Sequence, residues 1–160
     1  MEEEEQSLFK RALSRAMFYC SKAERCPADV LKKLEDWQID RHGWSDIIQT
    51  LKTENFLSDQ RYAEAFVRDK IRYNKWGRKK VLFQLKNKGL HGSAIEDALY
   101  SIDEDEYYGI VRYELAKKSK ATNEDDPYKR KAKLFNFATS RGYEGNIAEA
   151  IIEELLNDNE

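Results

Sequence analysis

Proline, cysteine and histidine each occur only twice in these 160 residues, and glycine seven times. So little proline leaves long stretches without the residue that most surely stops a helix. Cys20 and Cys26, six residues apart, are too few to staple the chain and fit no usual zinc spacing. They are expected as reduced thiols, and no metal is expected. His42 and His91 fall where turns between helices are expected. The sequence contains no glycine-rich phosphate loop, no HExxH and no Cys–His cluster. The acidic run Asp103–Glu106 suits the solvated first turn of a helix, where negative charge meets the macrodipole. The expectation is a protein that is not an enzyme, with no catalytic residue and no cofactor. Apolar stretches of membrane-spanning length are missing, as is a basic, apolar leader, which points to the cytoplasm.

What the chain does have is charge and periodicity. Charged residues make up 36% and hydrophobic ones 41%, and the formal net charge of −2 hides a marked asymmetry. From Arg61 to Lys88 there are ten Lys or Arg against two acids, Glu64 and Asp69. From Glu144 to the end there are six acids and no Lys or Arg, and Glu2–Glu5 form an acidic start. The middle is the electropositive part.

The segment Gly77–Leu90 (GRKKVLFQLKNKGL) repeats within the chain. Shifted back by 51 residues, Val81, Leu82, Leu85 and Leu90 fall on Val30, Leu31, Leu34 and Ile39. Shifted forward by 53, they fall on Leu134, Phe135, Ala138 and Tyr143. The match runs on through Ile47, Ile48 and Leu51, then Ala98, Leu99 and Ile102, then Ile151, Ile152 and Leu155. Three copies of one helical unit predict an all-α protein of three tandem three-helix repeats, over 1–56, 57–102 and 103–160. Each unit alone buries too little apolar surface to be stable, so neighbours must supplement it. The expected assembly is an elongated modular array, curved or straight. Such arrays work by presenting surface to long partners.

In the first repeat Leu8, Phe9, Ala12, Leu13, Ala16, Met17 and Cys20 make a helical stripe. Pro27 suits the first turn of the next helix, and His42-Gly43 turns into a third. Ser58 is a good N-cap for the second repeat, and Lys75-Trp76-Gly77 makes the next break. Gly89 fits a helix end. Ser93–Glu96 reads as a capping box, and Asn146–Glu149 occupies the equivalent place. Gln38-Ile39 stands where the other copies have Gly-Leu or Gly-Tyr, so the second helix of the first repeat is expected to end differently. Residues 118–126 form the longest polar connection and are the candidate mobile loop.

The candidate site is the basic middle. Arg61, Arg68, Arg72 and Lys75 belong to one helix and its end. Arg78, Lys79, Lys80 and Lys86 belong to the next. As antiparallel neighbours these helices would line one face, with Tyr62, Tyr73 and Trp76 interleaved as stacking groups. Phe66 and Phe83 are expected to be buried. A strand of nucleic acid held by five or six such cations would bind in a steeply salt-dependent way. The plainer reading of the same residues is a solvated helical face, against which the scarcity of acids weighs. A dimeric helix-turn-helix reader fits three tandem copies poorly.

Phe56-Leu57-Ser58-Asp59-Gln60-Arg61-Tyr62-Ala63-Glu64-Ala65-Phe66-Val67-Arg68, with Gly77-Arg78-Lys79-Lys80-Val81 and Leu85-Lys86-Asn87-Lys88-Gly89-Leu90, resembles the RecX family of recombination regulators. The likeness is strongest in the central repeat, and length and three-unit organisation extend it over nearly the whole chain. It implies a three-helix-repeat protein that lodges in the groove of the RecA–DNA filament. Such proteins usually suppress strand exchange, ATP hydrolysis and coprotease activity, in the setting of DNA repair and the SOS response. Some also bind single- or double-stranded DNA directly, though weakly. A monomer with no membrane association is expected. The acidic last unit suits a basic protein surface on the filament better than DNA. Two other readings stay open: a free-standing DNA-binding protein not acting through RecA, and a helical-repeat adaptor for another protein.

Overall fold

The computed structural model describes residues 2–158. Among them the chain forms nine α-helices and one 3₁₀ turn, with no strand. The helices are α1 (Glu2–Lys22), α2 (Pro27–Asp36), α3 (Trp44–Thr53), α4 (Asp59–Arg72), α5 (Arg78–Asn87), α6 (Ser93–Leu99), α7 (Glu104–Ala121), α8 (Pro127–Arg141) and α9 (Gly145–Asn157). The 3₁₀ turn Arg41–Gly43 precedes α3. Contacts divide the chain after Ala65 into two compact units.

In the first unit, Ala12, Ala16 and Cys20 of α1 meet Val30, Leu34, Ile47 and Leu51, and Leu57 joins them. The two alanines matter because a small side chain lets helix backbones approach. Pro27 opens α2 as its spacing predicts. Cys20 and Cys26 are both buried, and neither is in a disulfide among the described residues. Tyr62 is buried too, its hydroxyl bonded to the Cys26 side chain at the start of α2.

The core of the second unit is built from Val67, Ile71, Val81, Leu85, Ile95, Val111, Leu115, Leu134, Ile151 and Ile152. Burying one such side chain contributes about 1.5–3 kcal/mol. Val81, Leu85, Leu134, Ile151 and Ile152 among them are positions that the internal repeat aligns, so that periodicity in the sequence has become part of a continuous interior.

The second helices of all three repeats end alike. Gln38, Gly89 and Gly142 each take a left-handed conformation, at φ 59°, 84° and 86°. The next amide then reaches back: Ile39 N–H to Leu34 O at 2.9 Å, Leu90 to Leu85 at 3.2 Å, Tyr143 to Ala138 at 3.0 Å. This is the Schellman arrangement. The expectation that Gln38 would change the ending is thus overturned. The back-bond holds the left-handed turn even against the cost of a Cβ. The capping box expected at Ser93–Glu96 is also absent. Gly92, at φ 94°, is the N-cap of α6, and no side chain caps that helix.

The N-cap of α5 is Gly77, which has no side chain of its own to cap the helix. The end of α8 does this work instead. Gly77 N–H donates to Arg141 O at 2.6 Å and Lys79 N–H to Gly142 O at 3.0 Å. Unsatisfied donors at one helix start thereby meet unsatisfied carbonyls at another helix end. The backbones are so close that a Cβ on Gly77 would lie 2.2 Å from Gly142 O. One on Gly142 would lie 2.4 Å from the Lys80 Cβ.

Candidate docking surface

The basic residues do not share one fate. Arg78 is only 4% exposed. Its guanidinium bonds Glu104 at 2.6 Å, Glu144 at 3.1 Å and the Leu99 carbonyl at 2.9 Å. It lies 3.9 Å from the centre of the Tyr107 ring. The Tyr107 hydroxyl accepts from Arg78 N–H at 3.1 Å and donates to Glu144. Burial, then the bond to Glu144, pushes the Tyr107 pKa upward. Arg78 is therefore a buried fork joining α5, α7 and the start of α9, with every prong occupied inside the protein.

Two more arginines are matched by carboxylates. Arg72 pairs with Glu106 at 2.7 Å, and that bond raises its pKa. Arg61 lies in the first unit and pairs with Glu24 at 3.2 Å. Tyr62, buried beneath α2, offers no ring face to a ligand, and burial pushes its pKa up.

The remaining cations are different. Arg68, Lys75, Lys79, Lys80 and Lys86 form no ion pair among the described residues. On α5 the i, i+4, i+7 spacing sets Lys79, Phe83 and Lys86 on one side, and all three are exposed. Phe83 is 61% exposed, against the expectation that it is buried. The reason is geometric: it lies two residues beyond Val81 and two before Leu85, off the buried stripe they form. Phe66, also expected to be buried, is half-buried.

Lys80 of α5 and Lys88, just past its end, turn toward Trp76 and toward Phe66 of α4. There Trp76 holds two ammonium groups, Lys80 at 4.6 Å and Lys70 at 5.0 Å from its ring centre. Phe66 meets Lys70 at 5.4 Å and Lys88 at 5.9 Å, and packs edge-on to Trp76. Trp76 thus orders lysines and is not a bare stacking platform. Tyr73 is 80% exposed at the end of α4. Lys75, half-buried, takes the left-handed region at φ 60° and directs its ammonium to the Arg72 carbonyl.

Lys70 and Phe83 are the members the sequence reading passed over. Each had a signal: Lys70 follows Phe66 by four residues, and Phe83 sits between two lysines on the outer face. Among the described residues no group of His, Cys, Asp or Glu is placed to hold a metal, and no helix is long and apolar enough to cross a membrane. What these side chains can do chemically is attract negative charge and offer two exposed rings, Phe83 and Tyr73.

Family models match two parts of the chain. RecX, second three-helix domain, matches residues 58–99, and RecX, third three-helix domain, matches residues 104–152. The chain belongs to the RecX family. It is similar to the regulatory protein RecX of Clostridium acetobutylicum, 29% identical over 159 residues, covering 97% of this chain and 73% of that one. The RecX of Clostridium perfringens is 30% identical over 156 residues, covering 94% and 71%. In fold, the chain matches the crystal structure of RecX from Lactobacillus salivarius with a TM-score of 0.83 at 24% identity, over 94% of this chain and 97% of that one. A second solved regulatory protein RecX gives a TM-score of 0.81, also at 24% identity, over 91% and 73%. The tandem three-helix architecture is therefore that of RecX, and the chain is a regulatory protein of this family. Within that fold the glycine of the Gly-x-x-Lys motif is the close-approach residue Gly77, and the arginine after it is the buried fork.

Proposed function

We propose that the protein binds the RecA–DNA filament and restrains it, lowering strand exchange, ATP hydrolysis and coprotease activity during DNA repair and the SOS response. It acts in the cytoplasm as a monomer, by occupying surface and not by chemistry. The repeats 1–56, 57–102 and 103–160 are its three modules, with the central one as the docking module. Arg68, Lys75, Lys79, Lys80 and Lys86 supply the attraction, to phosphate or to acidic protein. Arg72 and Arg61, already paired, contribute at the margin, with Tyr73 beside them. Phe83 adds an apolar anchor among the lysines, the kind of aromatic group that carries binding energy once desolvated. Arg78, Tyr62 and Trp76 act from within by holding the helices and the lysines in place.

The observation that carries this reading is the set of cations on α4 and α5 left without carboxylate partners, in a chain whose net charge is −2. Unpaired like charges on neighbouring helices repel one another, so a bound polyanion stabilises them. The test is a titration of DNA-dependent ATP hydrolysis by the cognate RecA with added protein, with DNA binding by the protein alone measured alongside. Falling ATPase activity at protein concentrations that leave DNA alone largely unbound supports filament regulation. Tight DNA binding with unchanged ATPase activity supports a DNA-binding protein acting without RecA.

A further inference from the structure

The acids of the third repeat gather at the start of its first helix and in its last helix, and the face between the end of α7 and α8 is basic. From Lys117 to Arg141 there are eight Lys or Arg and three acids, Glu124, Asp125 and Asp126. An open groove of about 610 Å³ runs between the end of α7 and the face of α8. It is lined by Lys118, Asn123, Lys133, Asn136 and Phe137 among others. Lys129 precedes Lys133 by four residues and so extends the same face of α8 by one turn.

Three features define what this groove accepts. Lys118 and Lys129 are exposed and have no ion pair among the described residues. Lys133 is held by Glu124 at 3.2 Å, the one carboxylate that reaches it. The carboxamides of Asn123 and Asn136 bring N–H donors that serve an anion's oxygens. The Phe137 ring, by contrast, is already faced by Arg141 at 4.6 Å and by Lys118 at 5.6 Å. A groove with cations and amide donors, but no free ring face, suits a phosphate backbone and not a stacked base. Contacts of that kind position a strand without reading its sequence.

We propose that the α7–α8 groove is a second nucleic-acid site, which grips the sugar–phosphate backbone through Lys118, Lys129 and Lys133 with Asn123 and Asn136. It is separate from the lysine face of α4 and α5 and does not depend on any recombinase. Glu124 occupies Lys133 when no strand is bound and gives it up when one is. The groove thus carries its own brake, and its affinity is set by one carboxylate.

The experiment uses the full chain and a fluorescein-labelled oligothymidylate, with anisotropy titrations at several salt concentrations and no RecA present. Lys118→Gln with Lys129→Gln weakens binding roughly tenfold near physiological salt and lowers the salt slope by about 1.4, from roughly 0.7 per lost single-strand contact. Glu124→Gln tightens binding about threefold, because Lys133 is freed; this gain cannot arise from misfolding. A labelled polyglutamate peptide serves as the protein-like probe. Unchanged oligonucleotide affinity and slope in both variants overturn the proposal. So does loss of polyglutamate binding with oligonucleotide binding intact, which would assign the groove to an acidic protein.

Discussion

Gly77 and Gly142 meet backbone to backbone, with room for no side chain between them: a Cβ on Gly77 would fall 2.2 Å from the Gly142 carbonyl oxygen. The same contact carries the hydrogen bonds by which the end of α8 caps the start of α5. Gly77→Ala must therefore separate the two helix ends and leave amides and carbonyls unpaired. Overpacking costs about 1–3 kcal/mol and each lost buried partner adds about 1–3 kcal/mol. The expected loss is roughly 3 kcal/mol, read by urea unfolding. Gly109, against which a Cβ would meet nothing, is the control: its alanine variant should be at least as stable as the parent, since alanine is the better helix former.

Arg78 should behave as a structural residue. Arg78→Met keeps the volume but strands Glu144 and removes the bond to Leu99 O. Removing one partner of a buried pair costs about 3–5 kcal/mol. Glu104 is well exposed and can turn to water, so the lower end applies. Glu144→Gln keeps an acceptor for Tyr107 while removing the stranded charge. The double variant should accordingly be more stable than the sum of the two single losses, by about 1 kcal/mol or more in a double-mutant cycle. Simple additivity would deny the coupling.

Much of this fold was legible before any coordinates, for a physical reason. Helical periodicity is local, and the repeat marks the same buried positions three times. Val30, Val81 and Leu134 are each wholly buried, as their alignment predicts. The site was less legible because ion pairing is not local. Arg78 and its carboxylates stand 26 and 66 residues apart, and nothing near Arg78 in sequence separates it from Lys79. Phe83 was misjudged from residue type although its register placed it outside. Gln38 was misjudged in the opposite direction: its side chain argued against a turn that the backbone makes anyway.

That turn gives a prediction of gain. A left-handed residue other than glycine costs about 1–2 kcal/mol, and glycine loses about 0.4–1 kcal/mol through its freer unfolded chain. Gln38→Gly should therefore stabilise the protein by roughly 0.5–1 kcal/mol, seen as a raised melting temperature. A lower melting temperature would mean that the Gln38 side chain makes a contact worth more than the strain.

The most deeply buried tyrosines should ionise late. Burial pushes Tyr143 up to about 12, and Tyr62 and Tyr107 higher, while Tyr73 and Tyr128 stand in solvent. A group whose folded pKa is raised contributes stability that is complete below its unfolded pKa and lost as pH rises through the folded value. For Tyr143 that window runs from about 10 to about 12. Near pH 10 the folded protein should show no phenolate absorbance from Tyr62, Tyr107 or Tyr143. The buried three should follow as the protein unfolds, and Tyr143→Phe should remove one of these late ionisations. A single transition of all nine tyrosines near pH 10 would contradict the packing.

The central claim, that unpaired cations on α4 and α5 dock this protein on the RecA filament, is tested most directly by one charge-reversed variant. Arg68→Glu, Lys79→Glu and Lys80→Glu together should leave helicity by circular dichroism unchanged. Each reversal should cost the complex roughly 0.5–1 kcal/mol, and tenfold in affinity is 1.4 kcal/mol, so half-inhibition of RecA ATP hydrolysis should need at least tenfold more protein. Half-inhibition at the concentration that suffices for the unaltered chain would contradict the account.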